Sequence, residues 1–241
     1  MTASESKDHA FVSKEFDDIY FSKEDGVEET KFVFLKGNQI YDRWQTKGTT
    51  LFRIGELGFG TGLNFFVTKS EWNKIPEPPP VEFFSLEKFP LPIHTLQEMS
   101  RHFPTLLTWD EKILESYSSF LSYNTSYANG SNCFEWSYDH PISDAKFKLK
   151  LYLGDVKETI HQFEKPIDCF YLDGFAPKKN PQMWTDEVIG SIRNLSNLGT
   201  SFATFTSAGF VKRNLQAAGF SVTKQSGYGR KREMLVGQLD K

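Results

Sequence analysis

Glu56-Leu57-Gly58-Phe59-Gly60-Thr61-Gly62 sets an acid at the head of a glycine-rich loop, directly after the apolar run Leu51-Phe52-Arg53-Ile54. Glycines at this spacing allow a tight turn and let a ligand come close to the backbone. A helix starting near Gly62 would add free N–H groups. The same pattern also serves a plain strand-to-helix turn, so the leading acid carries the discrimination. A pyrophosphate seated on a helix N-terminus would be repelled by Glu56. A ligand with a positively charged amino-acid end would be attracted to it.

Three more acids follow apolar runs in the same way: Glu87 after Val81–Leu86, Asp155 after Phe147–Leu153, and Asp173 after Ile167–Leu172. In an open α/β sheet, ligands bind beyond the carboxyl ends of the strands, where strand order reverses. Acids at successive strand ends would converge on one such crevice. Glu87 suits a bidentate grip on ribose hydroxyls, or it is a solvated strand-end carboxylate. Asp155 is placed to meet an adenine amino group, or to cap a helix over 156–162. Asp173 opens Asp-Gly-Phe-Ala-Pro177-Lys-Lys-Asn-Pro181, where Pro177 and Pro181 stiffen the loop. Phe175 there could stack on a flat ring. Trp184 offers a second such surface, although its helical spacing also suits the core.

Positioning these acids takes strands that alternate with helices, hence an α/β fold with a mostly parallel sheet covered on both faces. The periodicity predicts strands at 51–54, 81–86, 147–153, 167–172 and 201–206, and helices to about Trp72, over 184–195 and over 210–218. The last two strands, 220–225 and 234–239, read as an antiparallel hairpin. Residues 1–10 read as a disordered tail, and 11–48 as a β-rich extension packed on the core. That extension has strands around Phe16, Ile19 and Phe21 and over Lys31–Leu35, with turns at Asp25-Gly26 and Gly37-Asn38. The main domain is expected over 49–241, with a helical insertion at about 91–145.

Composition bounds the rest. The chain has 241 residues, 39% of them hydrophobic, enough for a substantial core. The 23 phenylalanines are mostly core residues on burial statistics. Two cysteines, Cys133 and Cys169, are too few for a disulfide framework, and with no signal-like or membrane-length apolar run the cytoplasm is expected. A net charge of -3 argues against holding nucleic acid by bulk charge. Local cations remain: Lys178, Lys179, Lys212, Arg213, Arg230, Lys231 and Arg232 are candidate phosphate contacts as a group.

Longer stretches carry a resemblance: Phe16-Asp-Asp-Ile-Tyr-Phe21, Gly26–Leu35, Gly58-Phe-Gly-Thr-Gly-Leu-Asn64, Glu87-Lys-Phe-Pro-Leu91, Leu172-Asp-Gly-Phe-Ala-Pro177, Asn180-Pro-Gln-Met-Trp184, Ala203–Val211 and Gly229-Arg-Lys-Arg-Glu-Met-Leu235. From about residue 11 onward the chain resembles the methyltransferase domain of the bacterial MnmC family, which modifies the wobble uridine of tRNA. The resemblance implies a Rossmann-like class I methyltransferase with a seven-stranded sheet, S-adenosyl-L-methionine as cofactor and no metal. Joined to the readings above, it assigns Glu56, Gly58, Phe59, Gly60, Gly62, Asn64, Glu87, Lys88, Asp155 and Asp173 to the cofactor. It assigns Phe175, Pro177, Lys178, Trp184, Arg230, Lys231 and Arg232 to the substrate, and Asp173 to catalysis. The implied partner is a tRNA anticodon stem-loop. The family's second, flavin-dependent domain is expected to be missing, so a separate enzyme would supply the aminomethyl group.

The implied acceptor is a primary amine with a pKa of about 10, cationic at neutral pH. An aspartate is a weak base for it, so Asp173 is expected to orient the nitrogen and offset positive charge, with water assisting proton loss. Other classes compete. A small-molecule N-methyltransferase or an aminopropyltransferase of the spermidine-synthase kind would also face an amine with a strand-end aspartate. A NAD-dependent dehydrogenase is disfavoured by Glu56 and by the lack of an obvious catalytic His or Tyr-Lys pair. A non-catalytic RNA-binding remnant would fail to bind S-adenosyl-L-methionine.

Overall fold

The computed structural model describes the backbone of residues 3–5, 10–13, 18–22, 26–45, 51–103, 106, 109–123, 132–229 and 232–240, with side chains described from Gly26 onward. At its centre, strands β4 (Phe52–Leu57), β5 (Val81–Glu87), β7 (Lys146–Leu153), β8 (Ile167–Tyr171) and β9 (Ser196–Thr204) run parallel. Three antiparallel strands complete an eight-stranded sheet: β6 (Cys133–Asp139), β10 (Phe220–Ser226) and β11 (Glu233–Leu239), in the order β10-β11-β9-β8-β4-β5-β7-β6. The chain moves outward from β4 through β5 to β7, then returns to the other side of β4 with β8. Strand order therefore reverses between β4 and β8, and a crevice opens beyond their carboxyl ends.

Side-chain alternation covers both faces. Phe83, Phe147, Leu149 and Tyr171 point to one core, whereas Phe84, Tyr152, Phe170 and Leu172 point to the other. The first core is capped by α3 (Leu63–Trp72) and α5 (Glu111–Tyr123), the second by α7 (Asp186–Leu195) and α8 (Gly209–Ala217). Glu56 lies on the same side of β4 as Phe52 and Ile54, and so points beneath α3.

Four expectations need correction. Ala3–Glu5 forms β1, paired with β2 (Ala10–Ser13) and through it with β3 (Asp18–Ser22) in a three-stranded antiparallel sheet, so 1–10 is not wholly a tail. Pairing there satisfies backbone groups and needs no apolar pattern. Residues 26–36 and 40–45 are helical, with the expected turn kept at Gly37-Asn38: α1 (Gly26–Thr30), a π-helical continuation Lys31–Lys36, and α2 (Ile40–Gln45). Burial decides this, because Gly26, Thr30, Val33, Phe34 and Leu35 are all buried. Gly26, Thr30, Val33 and Phe34 stand at i, i+4, i+7 and i+8, the spacing of one helical face. So short a helix gains its stability from packing rather than propensity. Third, the 91–145 insertion is only partly helical, with α4 (Ile93–His102) and α5 followed by β6. Phe134, Trp136 and Tyr138 alternate toward the core along β6, and their pairing with β7 adds the eighth strand to the expected seven. Fourth, β9 begins at Ser196 rather than Ser201, through an irregularity where it meets β8. Phe16 and Asp25 lie outside the described residues. No described helix is long and apolar enough to cross a membrane.

Candidate functional site

Gly58 lets the loop after β4 lie at the reversal of strand order. Its φ is +92°, and a Cβ there would come within 2.6 Å of the Asp173 carbonyl oxygen. The loops after β4 and β8 thus meet backbone to backbone. Phe59 N–H donates to the Leu86 carbonyl at 2.8 Å and ties the loop to the end of β5 as well.

Glu87 is held at that end by two backbone donors, Gly60 N–H to Oε2 at 2.8 Å and Phe89 N–H to Oε1 at 2.7 Å. Burial pushes its pKa up, and the N–H groups of Phe89, Gly60 and Lys88 oppose the rise. A carboxylate offers about four acceptor sites, so Glu87 retains capacity for ligand hydroxyls. Asp155 does cap the helix that follows, α6 (Val156–Thr159): its Oδ1 accepts from Lys157 N–H at 3.0 Å. Its Oδ2 takes Lys88 Nζ at 2.8 Å, and that hydrogen bond leads the causes holding its pKa down.

Asn64, on the first turn of α3, joins three elements. Its Nδ2 donates to Glu56 Oε1 at 2.9 Å and to Asp173 Oδ2 at 2.6 Å. Its Oδ1 accepts from Thr30 Oγ1 of α1 at 2.9 Å. Glu56 is 1% exposed and takes a further bond from Ser85 Oγ at 2.5 Å. Burial pushes its carboxyl well above the usual range, against the donors Ser85 and Asn64, and the charges of Asp173 and Glu87 add to the rise.

Above these groups lies a cleft of about 570 Å³, within the range of small-molecule sites (about 300–1,000 Å³). Among the sequence-predicted residues, Gly58, Phe59, Gly60, Asn64, Glu87, Lys88, Asp155, Asp173 and Phe175 line it. Acids from three strand ends therefore share one space with a glycine turn and an aromatic ring. This donor set fits a cationic nucleoside: carboxylates for hydroxyls and positive charge, and a backbone turn open to close approach.

Other predicted residues lie elsewhere. Glu56 does not line the cleft; it acts on it through Asn64, because the parity of β4 turns it under α3. Gly62 starts α3 in the left-handed conformation and stays behind the wall. Trp184 is 2% exposed, and its Nε1 donates to the Phe175 carbonyl at 3.3 Å. Its ring is a core support under the Asp173 loop and not a stacking surface. Pro177 is buried outside the cleft, while Lys178 and Arg232 are exposed outside it. Arg230 and Lys231 lie outside the described residues. Thr30, Val33 and Phe34 line the cleft and were not anticipated, because Lys31–Leu35 read as a strand. Helical spacing of Gly26, Thr30, Val33 and Phe34 was the available signal. Lys179, one of the candidate phosphate contacts, also lines the cleft.

Residues 124–240 match the family of S-adenosyl-L-methionine-dependent methyltransferases. The chain is 43% identical over 228 residues to the tRNA 5-methylaminomethyl-2-thiouridine biosynthesis bifunctional protein MnmC of Leptospira borgpetersenii serovar Hardjo-bovis. It is 40% identical over 227 residues to the protein of that name from Leptospira interrogans. Both alignments cover 94% of the chain and 33% of the relative, so the chain spans about a third of the length of these relatives. The crystal structure of MNMC2 from Aquifex aeolicus superposes with a TM-score of 0.68 at 26% identity, covering 95% of this chain and 67% of that one. The fold is that of a Rossmann-like methyltransferase, mostly parallel with a C-terminal antiparallel hairpin.

Proposed function

We propose that the chain is an S-adenosyl-L-methionine-dependent tRNA methyltransferase that converts wobble 5-aminomethyl-(2-thio)uridine to the 5-methylaminomethyl form. The observation that carries this reading is the meeting of Glu87, Asp155 and Asp173 in one cleft at the reversal of strand order. Its substrate class comes from the named relatives, whose biosynthetic product is a methylaminomethyl-uridine in tRNA. The small-molecule amine alternative has no comparable support.

When bound, S-adenosyl-L-methionine supplies an electrophilic methyl group. Glu87, fixed by two backbone donors, accepts from vicinal ribose hydroxyls, and Asp155 sits at the cleft edge for an exocyclic amino group. Gly58 and Gly60 leave room for the amino-acid end, with Phe59 and Lys88 beside them. Asp173 accepts a hydrogen bond from the acceptor amine and offsets the positive charge that would otherwise oppose a cationic donor. The acceptor ammonium would first give a proton to water; its nitrogen would then bond the methyl carbon as the carbon–sulfur bond breaks, leaving S-adenosyl-L-homocysteine and a secondary ammonium. Most of the acceleration comes from holding nitrogen, methyl carbon and sulfur in line. Phe175 stacks on the uridine once it leaves the anticodon stack, and Lys179 at the rim meets backbone phosphate. The anticodon stem-loop is the partner, and the site of action is the cytoplasm.

Incubation of aminomethyluridine-bearing tRNA with the protein and S-adenosyl-L-methionine, followed by nucleoside mass spectrometry, tests the reading. The wobble nucleoside should gain one methyl group. Methylation of polyamines with none of tRNA would favour the small-molecule alternative.

A further inference from the structure

We propose that Thr30 and Asn64 are positioning residues that fix the orientation and charge of the Asp173 carboxylate, which makes the N-terminal helix part of the reaction machinery. The inference rests on the reading of Asp173 as the carboxylate at the acceptor.

Asn64 stands between two carboxylates, and both hydrogens of its Nδ2 are used, one on Glu56 and one on Asp173. Flipping the amide would set its oxygen against both acids. Thr30 Oγ1 donates to Asn64 Oδ1, and this bond holds in place an amide whose nitrogen its two acid partners already face. Thr30 and Asn64 are sheltered, at 4% and 6% exposed, and the bond they support reaches a half-buried carboxylate. In such surroundings a donor on a carboxylate counts for more than it does in water. The tie from α1 to α3 joins two neutral groups, and the amide of Asn64 carries it on to a carboxylate. That carboxylate lies in the cleft, 109 positions along the chain from Asn64.

Thr30→Val keeps the side-chain shape and removes the donor, while Thr30→Ser keeps the donor. Carbon-13 NMR titration of the Asp173 carboxyl in the complex with S-adenosyl-L-homocysteine reads its charge without any RNA. Thr30→Val should move the Asp173 midpoint upward, because an amide released on its far side holds the carboxylate less firmly. It should slow single-turnover methyl transfer roughly tenfold with homocysteine-product affinity unchanged, and Thr30→Ser should restore both. An unshifted midpoint in Thr30→Val, failure of serine to restore it, or a loss of affinity equal to the loss of rate would overturn the proposal. If Thr30→Val does not fold, Asn64→Ser removes the donor to Asp173 and faces the same criteria. A wild-type protein inert on tRNA whose Asp173 midpoint still responds to Thr30→Val would refute the proposed function and leave the relay standing.

Discussion

Gly58→Ala separates backbone strain from displacement of the Asp173 loop. Alanine at φ +92° must occupy a conformation that costs an L residue about 1–2 kcal/mol. In a chain of this size that lowers the melting temperature by about 2–8 °C. Its Cβ would also lie 2.6 Å from the Asp173 carbonyl oxygen, where ordinary contact begins at 3.4 Å. Relief requires the loop to retreat by about 0.8 Å, and misplacement on that scale lowers a positioned reaction roughly 100-fold. Gly199 is the matched control: its φ is +86°, it is exposed, and a Cβ there meets nothing within 4 Å. Gly199→Ala should therefore lose comparable stability and keep its activity. Differential scanning calorimetry with single-turnover methyl transfer measures both quantities. Wild-type rates in Gly58→Ala, or an equal rate loss in Gly199→Ala, would refute the claim that contact between the two loops sets the position of Asp173.

Asp173→Ala should abolish methyl transfer while calorimetric affinity for S-adenosyl-L-methionine stays nearly intact; equal loss of both would move Asp173 to the cofactor side. Glu56 has a folded-state pKa raised by burial, so its contribution to stability is full at low pH and is lost as pH rises through that value. Glu56→Gln, which can keep partners at Ser85 and Asn64, should melt above wild type by a margin that widens with pH; a constant margin across pH 5–9 would contradict the assignment. Trp184→Ala should cost about 3–5 kcal/mol in denaturant melts, as a buried aromatic does, with Trp184→Phe milder. Phe175→Ala should leave the melt nearly unchanged and raise KM for tRNA, and the opposite pattern would return Trp184 to the stacking role.

The strand ends were legible because their signals are local. An apolar run followed by an acid or a glycine, as at Leu57-Gly58, Leu86-Glu87, Leu153-Gly154-Asp155 and Leu172-Asp173-Gly174, marks where a strand stops and what it presents. From four such ends the crevice, its acids and the class of ligand followed. What the sequence left open depends on contacts between distant residues. Lys31–Leu35 is apolar enough for a strand, and only packing against α3 and β9 winds it into a helix that brings Thr30 to the cleft. Glu56 heads the glycine loop, yet the parity of β4 turns it under α3, where Asn64 carries its influence to Asp173. Trp184 has helical spacing suited to either role, and burial at 2% assigns it to the core. Residue type and spacing determined which chemistry this chain can present. Tertiary packing decided which of those groups face the cleft and which support it from behind, because burial and amide orientation are set by neighbours far away in sequence.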